Sequence, residues 1–170
     1  MPSVAEIENL FLIPEVIELV ARKQNVEDVD SILELAKVKV IEFLQLHLEE
    51  QALLFTKKKC QNTINYICNQ SSATINEYKL SLAEMVNMVK PQEEYDKSCE
   101  ELQRIIDDKD YLAALRVINN KGLLPYTNLP NVFGWKKQYY IDYVIRLIES
   151  KDSTSEELCD IFREYVPVEL

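Results

Sequence analysis

The sequence predicts a mainly α protein, a multi-helix bundle around one long helix, and three observations carry that expectation. Glycine occurs only at Gly122 and Gly134 among 170 residues, roughly 1% where about 7% is usual, so glycine-dependent hairpins and open loops have almost no material. No proline or glycine interrupts residues 26–69, where apolar side chains at 29, 32, 33, 36, 40, 43, 44, 48, 54 and 55 recur with the helical period. Pro14 and Pro91 stand where a first helical turn tolerates the missing N–H.

The elements follow in order. Residues 2–12 alternate apolar and acidic side chains and stop at Ile13-Pro14, which starts a helix reaching Gln24. The uninterrupted stretch from Val26 to Asn69 reads as one long helix, or two with a break near residue 59, and the Asp28-Val29-Asp30 acids belong to its N-terminus. The basic run Lys57 to Lys59 reads as a solvated face late in that helix, complementing its C-terminal dipole. Gln70 to Ala73 is a loop. A short strand near Ile75 to Leu80 is the one candidate exception to the helical texture, followed by helices over 80–89 and 91–107. Asp107 to Asp110 caps a helix over 111–118. Asn119 to Gly122 is a turn, and residues 122–134, which hold both glycines, form the only irregular segment. Helices over 136–149 and 154–165 close the chain, with Ser or Thr within Ser150 to Ser153 as the N-cap of the last. On length the chain is a single helical domain, 1–170.

Composition excludes several functions. With two glycines twelve positions apart, neither GxGxxG nor GxxxxGK[ST] can be written, so the chain carries no familiar nucleotide-cradling loop. No apolar run approaches the ~18–20 residues of a membrane span, and no secretory pattern opens the chain, so the default address is cytoplasmic. Cys60, Cys68, Cys99 and Cys159 match no zinc spacing and read as reduced thiols. His47, the only histidine, reads as a packed or half-exposed helix residue. The net charge of −10 opposes generic polyanion binding, yet residues 111–151 hold six Lys/Arg against two acids. That local basic excess makes Arg116, Lys136 and Lys137 candidate nucleic-acid contacts.

Two stretches go further than composition. One is Val4-Ala5-Glu6-Ile7-Glu8-Asn9-Leu10-Phe11-Leu12 with Ile13-Pro14-Glu15-Val16. The other is Leu115-Arg116-Val117-Ile118-Asn119-Asn120-Lys121-Gly122-Leu123-Leu124, with Tyr140-Ile141-Asp142 and Tyr165-Val166-Pro167. Together they resemble the C-terminal, helical part of Toprim-type nuclease domains of the OLD class, of the kind associated with ABC-type ATPases in phage defence, including relatives of the PARIS nuclease subunit. The resemblance implies phosphodiester cleavage with Mg²⁺ or Mn²⁺, a nucleic-acid substrate and an ABC-type ATPase partner. By the family pattern Glu8, then Glu6, are the candidate metal ligands and Lys121 the candidate catalytic residue, whose ammonium would stabilise charge developing on the phosphate. Glu6 and Glu8 point the same way if the segment is extended and diverge by about 200° if it is α-helical. The β-strands that carry the other carboxylates of a Toprim core are absent from this sequence, which reads as a fragment of a larger protein; alone it is expected to bind metal weakly and to cleave nothing. The competing expectation is a non-catalytic helical module that docks an ATPase or forms a homodimer.

Overall fold

The computed structural model describes residues 6–69, 72 and 74–165. Among them all regular structure is helical: a 3₁₀ helix over Ile7–Leu12, then α1 (Pro14–Lys23), α2 (Val29–Leu46), α3 (Leu48–Cys68), α4 (Ile75–Met88), α5 (Pro91–Asp107), α6 (Tyr111–Val117), α7 (Leu123–Tyr126), α8 (Leu129–Val132), α9 (Lys137–Glu149) and α10 (Ser153–Tyr165). The chain divides into two compact units, Met1–Leu46 with Ile105–Leu170, and His47–Arg104. No helix among the described residues is long and apolar enough to cross a membrane.

In the first unit the 3₁₀ helix and α1 form the centre. Ile13, Val16, Ile17 and Val20 repeat at the i, i+3, i+4, i+7 spacing of one helix face and are wholly buried. Pro14 at the first position of α1 loses no hydrogen bond, because that N–H has no partner inside a helix. Ala36, Val40, Phe43 and Leu44 of α2 close one side of this core, and Ala114, Leu115, Ile118, Leu123, Leu124 and Leu129 another. Tyr140 and Val144 of α9 and Leu158 of α10 complete it.

Local chemistry sets most helix starts. Asp28 accepts the backbone N–H of Ser31 at 3.1 Å, and hydrogen bonding from the Ser31 side chain together with that N–H holds its carboxyl below the usual range. Asp110 caps α6 through the Ala113 N–H at 3.0 Å. The cap of α10 is Asp152 rather than a Ser or Thr: its Oδ1 accepts the N–H groups of Thr154 and Ser155 and the hydroxyl of Ser150. A carboxylate placed beside those donors outcompetes a neutral hydroxyl.

Three further expectations change. The long helix breaks at His47, not near residue 59; His47 leaves helical geometry at φ −114°, ψ 18°. A single residue outside the helical well requires neither proline nor glycine, so the break left no mark in composition. Consequently Lys57 to Lys59 lie in the middle of α3, where Lys59 faces Glu94 at 3.6 Å and Glu101 at 3.7 Å on α5. The short strand near Ile75 to Leu80 does not form. Those residues open α4, whose first turn is capped by Thr74 accepting the Glu77 N–H at 3.2 Å; a lone strand would leave its backbone groups without a ladder. Within residues 122–134 the chain makes α7 and α8 instead of an irregular loop.

The second unit has a small core: Ala52 and Ile67 of α3, with Leu102 of α5, supply its buried apolar side chains. Polar neighbours are satisfied locally, Thr56 Oγ1 donating to the Ala52 carbonyl and Ser98 Oγ to that of Glu94. No residue of α4 is buried.

Gly134 ends α8 at φ +72°, in the left-handed region, while the Phe133 and Trp135 N–H groups both reach the Pro130 carbonyl. A Cβ there would meet no heavy atom within 4 Å, so Gly134→Ala isolates the backbone cost. That cost is about 1–2 kcal/mol, or a melting temperature lower by about 2–8 °C for a chain of this size. A thermal melt followed by circular dichroism that left the midpoint unchanged would contradict it.

Candidate functional site

The two stretches singled out in the sequence meet around the 3₁₀ helix. Glu6 stands just outside it in extended geometry (φ −127°, ψ 144°), and Glu8 lies within it. The extended alternative, with both carboxylates pointing the same way, is therefore not realised. Asn9, next in line, is only 1% exposed. Its Nδ2 donates to the carbonyls of Leu115 and Ile118, each at 2.9 Å. Both carbonyls lie at the end of α6, where intrahelical donors run out, so one carboxamide fills two vacancies.

Two phenols anchor the other end of the 3₁₀ helix. The Tyr140 hydroxyl donates to the Phe11 carbonyl at 2.9 Å, and the Tyr111 hydroxyl donates to the carbonyl of Leu12. Burial pushes the ionisation of both phenols far above the ordinary tyrosine range, Tyr111 also feeling Tyr140 and Glu15. Asn9, Tyr111 and Tyr140 were not among the sequence candidates. The available signal was Asn9 itself, a polar side chain directly before a run of four apolar residues.

Glu8 is drawn to the second stretch by charge. Its Oε2 lies 2.6 Å from Lys137 Nζ, with the two side chains 24% and 33% exposed. The same ammonium donates to the Lys121 carbonyl at 3.3 Å. Lys137 at the start of α9 thus touches both Glu8 and the turn that carries Lys121. That turn is closed by Asn120, whose Oδ1 accepts the Gly122 N–H at 2.8 Å. A Cβ at Gly122 would come 2.9 Å from Asn120 Oδ1, so an alanine there would push aside the carboxamide that closes the turn. Gly122 precedes α7, and the Lys121 side chain is exposed.

The remaining candidates occupy distinct places. Lys136 is exposed and caps the start of α9, its carbonyl accepting the Tyr140 N–H at 3.1 Å. Arg116 is exposed on α6, and its charge lowers the ionisation of the Tyr165 phenol against the larger upward effects of burial and Glu15. The structure therefore brings Glu8 and the backbone of Lys121 to the Lys137 ammonium, with Lys136 adjacent in sequence, and sets Arg116 toward α10.

Beside Lys136 lies an aromatic cluster. Trp135 stacks on Phe133 with ring centres 5.4 Å apart, meets Tyr139 edge-on at 5.1 Å and Tyr143 at 4.8 Å. Phe133 stacks in turn on Tyr140 at 5.8 Å.

The residues present do not by themselves fit a divalent cation. Mg²⁺ and Mn²⁺ prefer about six oxygen ligands, whereas Glu8 brings one carboxylate whose Oε2 already faces an ammonium. Among the described residues no group of three or more His, Cys, Asp or Glu is placed to hold a metal ion. All four cysteines are free thiols. No protein-family model, no curated protein and no solved structure matches the chain.

Proposed function

We propose that the chain is the helical part of a metal-dependent nuclease domain that works with an ABC-type ATPase in phage defence. The observation that carries this reading is the junction of the two motifs. They lie more than a hundred residues apart, with Asn9 reaching Leu115 and Ile118 across separations of 106 and 109. Lys137 bridges Glu8 and the Lys121 turn. In this reading the metal ligands come chiefly from residues outside the chain, and Lys121 supplies positive charge toward the scissile phosphate.

The test is a paired cleavage and binding assay on the complete nuclease. Lys121→Ala is expected to lower cleavage about 10²-fold or more, the usual loss on removing one group that stabilises transition-state charge, with little change in binding. Lys136→Ala should leave chemistry alone and reduce the salt slope of binding by about one. Normal cleavage by folded Lys121→Ala would refute the assignment.

A second reading, a non-catalytic docking or dimerisation module, is favoured by α4. Ile75 and Val86, which share one side of that helix, are 65% and 74% exposed, and Leu80 on another side is 65% exposed.

A further inference from the structure

We propose that Trp135 and Tyr139, flanked by Lys136, form a base-stacking platform for single-stranded nucleic acid. The inference rests on the reading of the chain as part of a nucleic-acid-cleaving protein, and it names the substrate class: a strand whose bases are unpaired.

Preorganisation is the first argument. The rings form a ladder anchored at its inner end, where Tyr140 is fully buried and hydrogen-bonded to the Phe11 carbonyl. Tyr143 is fixed from another side by Gln24, whose Nε2 donates to its hydroxyl at 2.7 Å. At the outer end the cluster opens: Tyr139 is 47% exposed, and Trp135 is not fully buried. The open part of the cluster is the Tyr139 ring, set edge-on against an indole that is itself largely covered by Phe133 and Tyr143 and keeps one margin at the surface. Any base presents a π-face, so such a surface accepts a strand without reading its sequence.

Charge selects the ligand. Lys136 directly follows Trp135, precedes Tyr139 by three residues and is exposed. Arg146, also exposed, lies seven residues beyond Tyr139 and therefore on the same face of α9. Asp142, the acid within that helix stretch, accepts from Gln138 Nε2 at 2.8 Å and keeps its charge, so the two cations outnumber one acid there. Cations beside open aromatic rings match a phosphate backbone that carries splayed bases. Paired bases in a duplex are stacked on one another and cannot reach the platform.

Trp135 is the only tryptophan in the chain, so its emission reports the platform directly. The chain would be titrated with unlabelled oligothymidylate, reading tryptophan emission, and in parallel with end-labelled oligothymidylate, reading anisotropy. The expected result is quenching of Trp135 that saturates together with the anisotropy, at an affinity that falls with salt. Tyr139→Ala should weaken single-strand binding about tenfold with an unchanged far-ultraviolet spectrum. Anisotropy that rises while Trp135 emission stays constant would overturn the platform and leave the nuclease reading standing. Equal quenching and affinity for a blunt duplex would also overturn it. Absence of binding at low salt would do the same, and the nuclease reading would then rest on the Lys121 variant. Concentration-dependent self-association that alters Trp135 emission without any oligonucleotide would reassign the face to a protein contact.

Discussion

Asn9→Ala is expected to destabilise the protein by about 3 kcal/mol or more. Asn9 donates from one nitrogen to two buried carbonyls, those of Leu115 and Ile118. Removing the carboxamide leaves both acceptors without a donor in a place water does not reach, at about 1–3 kcal/mol each, and opens a small cavity besides. Asn9→Asp should be at least as damaging, because an ionised carboxylate cannot donate and would sit against two carbonyl dipoles. Urea titration followed by circular dichroism would show the midpoint falling with little change in slope. The contrast is Glu8→Gln, which disturbs a partly exposed ion pair worth on the order of 1 kcal/mol. If Asn9→Ala unfolded at the midpoint of the parent protein, the hydrogen bonds from Asn9 would not be what joins the two motifs. The consequence reaches the site, since Asn9 fixes Glu8 relative to the end of α6 and the turn beyond it.

Above about pH 10 the protein should lose stability, with Tyr111 and Tyr140 together contributing up to about 2.7 kcal/mol for each further pH unit. In an unfolded chain tyrosine ionises near pH 10. In the folded protein Tyr111 and Tyr140 stay protonated well beyond that, because burial opposes the phenolate and each hydroxyl donates to a carbonyl. Above the unfolded value the unfolded state therefore binds fewer protons than the folded state, and stability falls as pH rises, by about 1.4 kcal/mol per unit for each group. Below pH 10 both states are protonated at these phenols, and they impose no pH dependence. Tyr140→Phe should make the alkaline slope shallower, by up to about 1.4 kcal/mol per pH unit, while costing the Phe11 hydrogen bond at neutral pH, about 1 kcal/mol. Urea midpoints measured from pH 8 to 11 would check both halves of the statement. An alkaline slope identical in the parent and Tyr140→Phe would contradict it.

What the sequence determined by itself is local. The α class follows from the scarcity of glycine and from the helical spacing of apolar residues, both of which act within a few turns. The starts of α1, α2, α5 and α6 were legible because Pro14, Asp28, Pro91 and Asp110 act on N–H groups within their own first turn. Where local signals compete, the reading failed. Ile75, Tyr78 and Leu80 satisfy a strand's alternation in part and a helix's spacing in part, and the Thr74 cap decides for the helix. Likewise α10 took Asp152 over the nearby hydroxyls, a choice set by where the carboxylate sits against three donors.

The candidate site divides along the same line. Glu8 and Lys121 could be picked out as residue types in a pattern, but no rule of periodicity connects position 8 with position 137. That pairing follows from how the packed chain brings two partly exposed charges together, and the seat of Asn9 at the end of α6 from the need of buried polar groups to find partners. The aromatic cluster shows the same dependence. Trp135, Lys136 and Tyr139 stand close together in the sequence, yet the positive φ of Gly134 and the burial of Tyr140 decide which rings stack inward and which stay open to a ligand. Helix by helix, short-range chemistry was enough; the site is made of contacts across more than a hundred residues, which only the tertiary structure could choose.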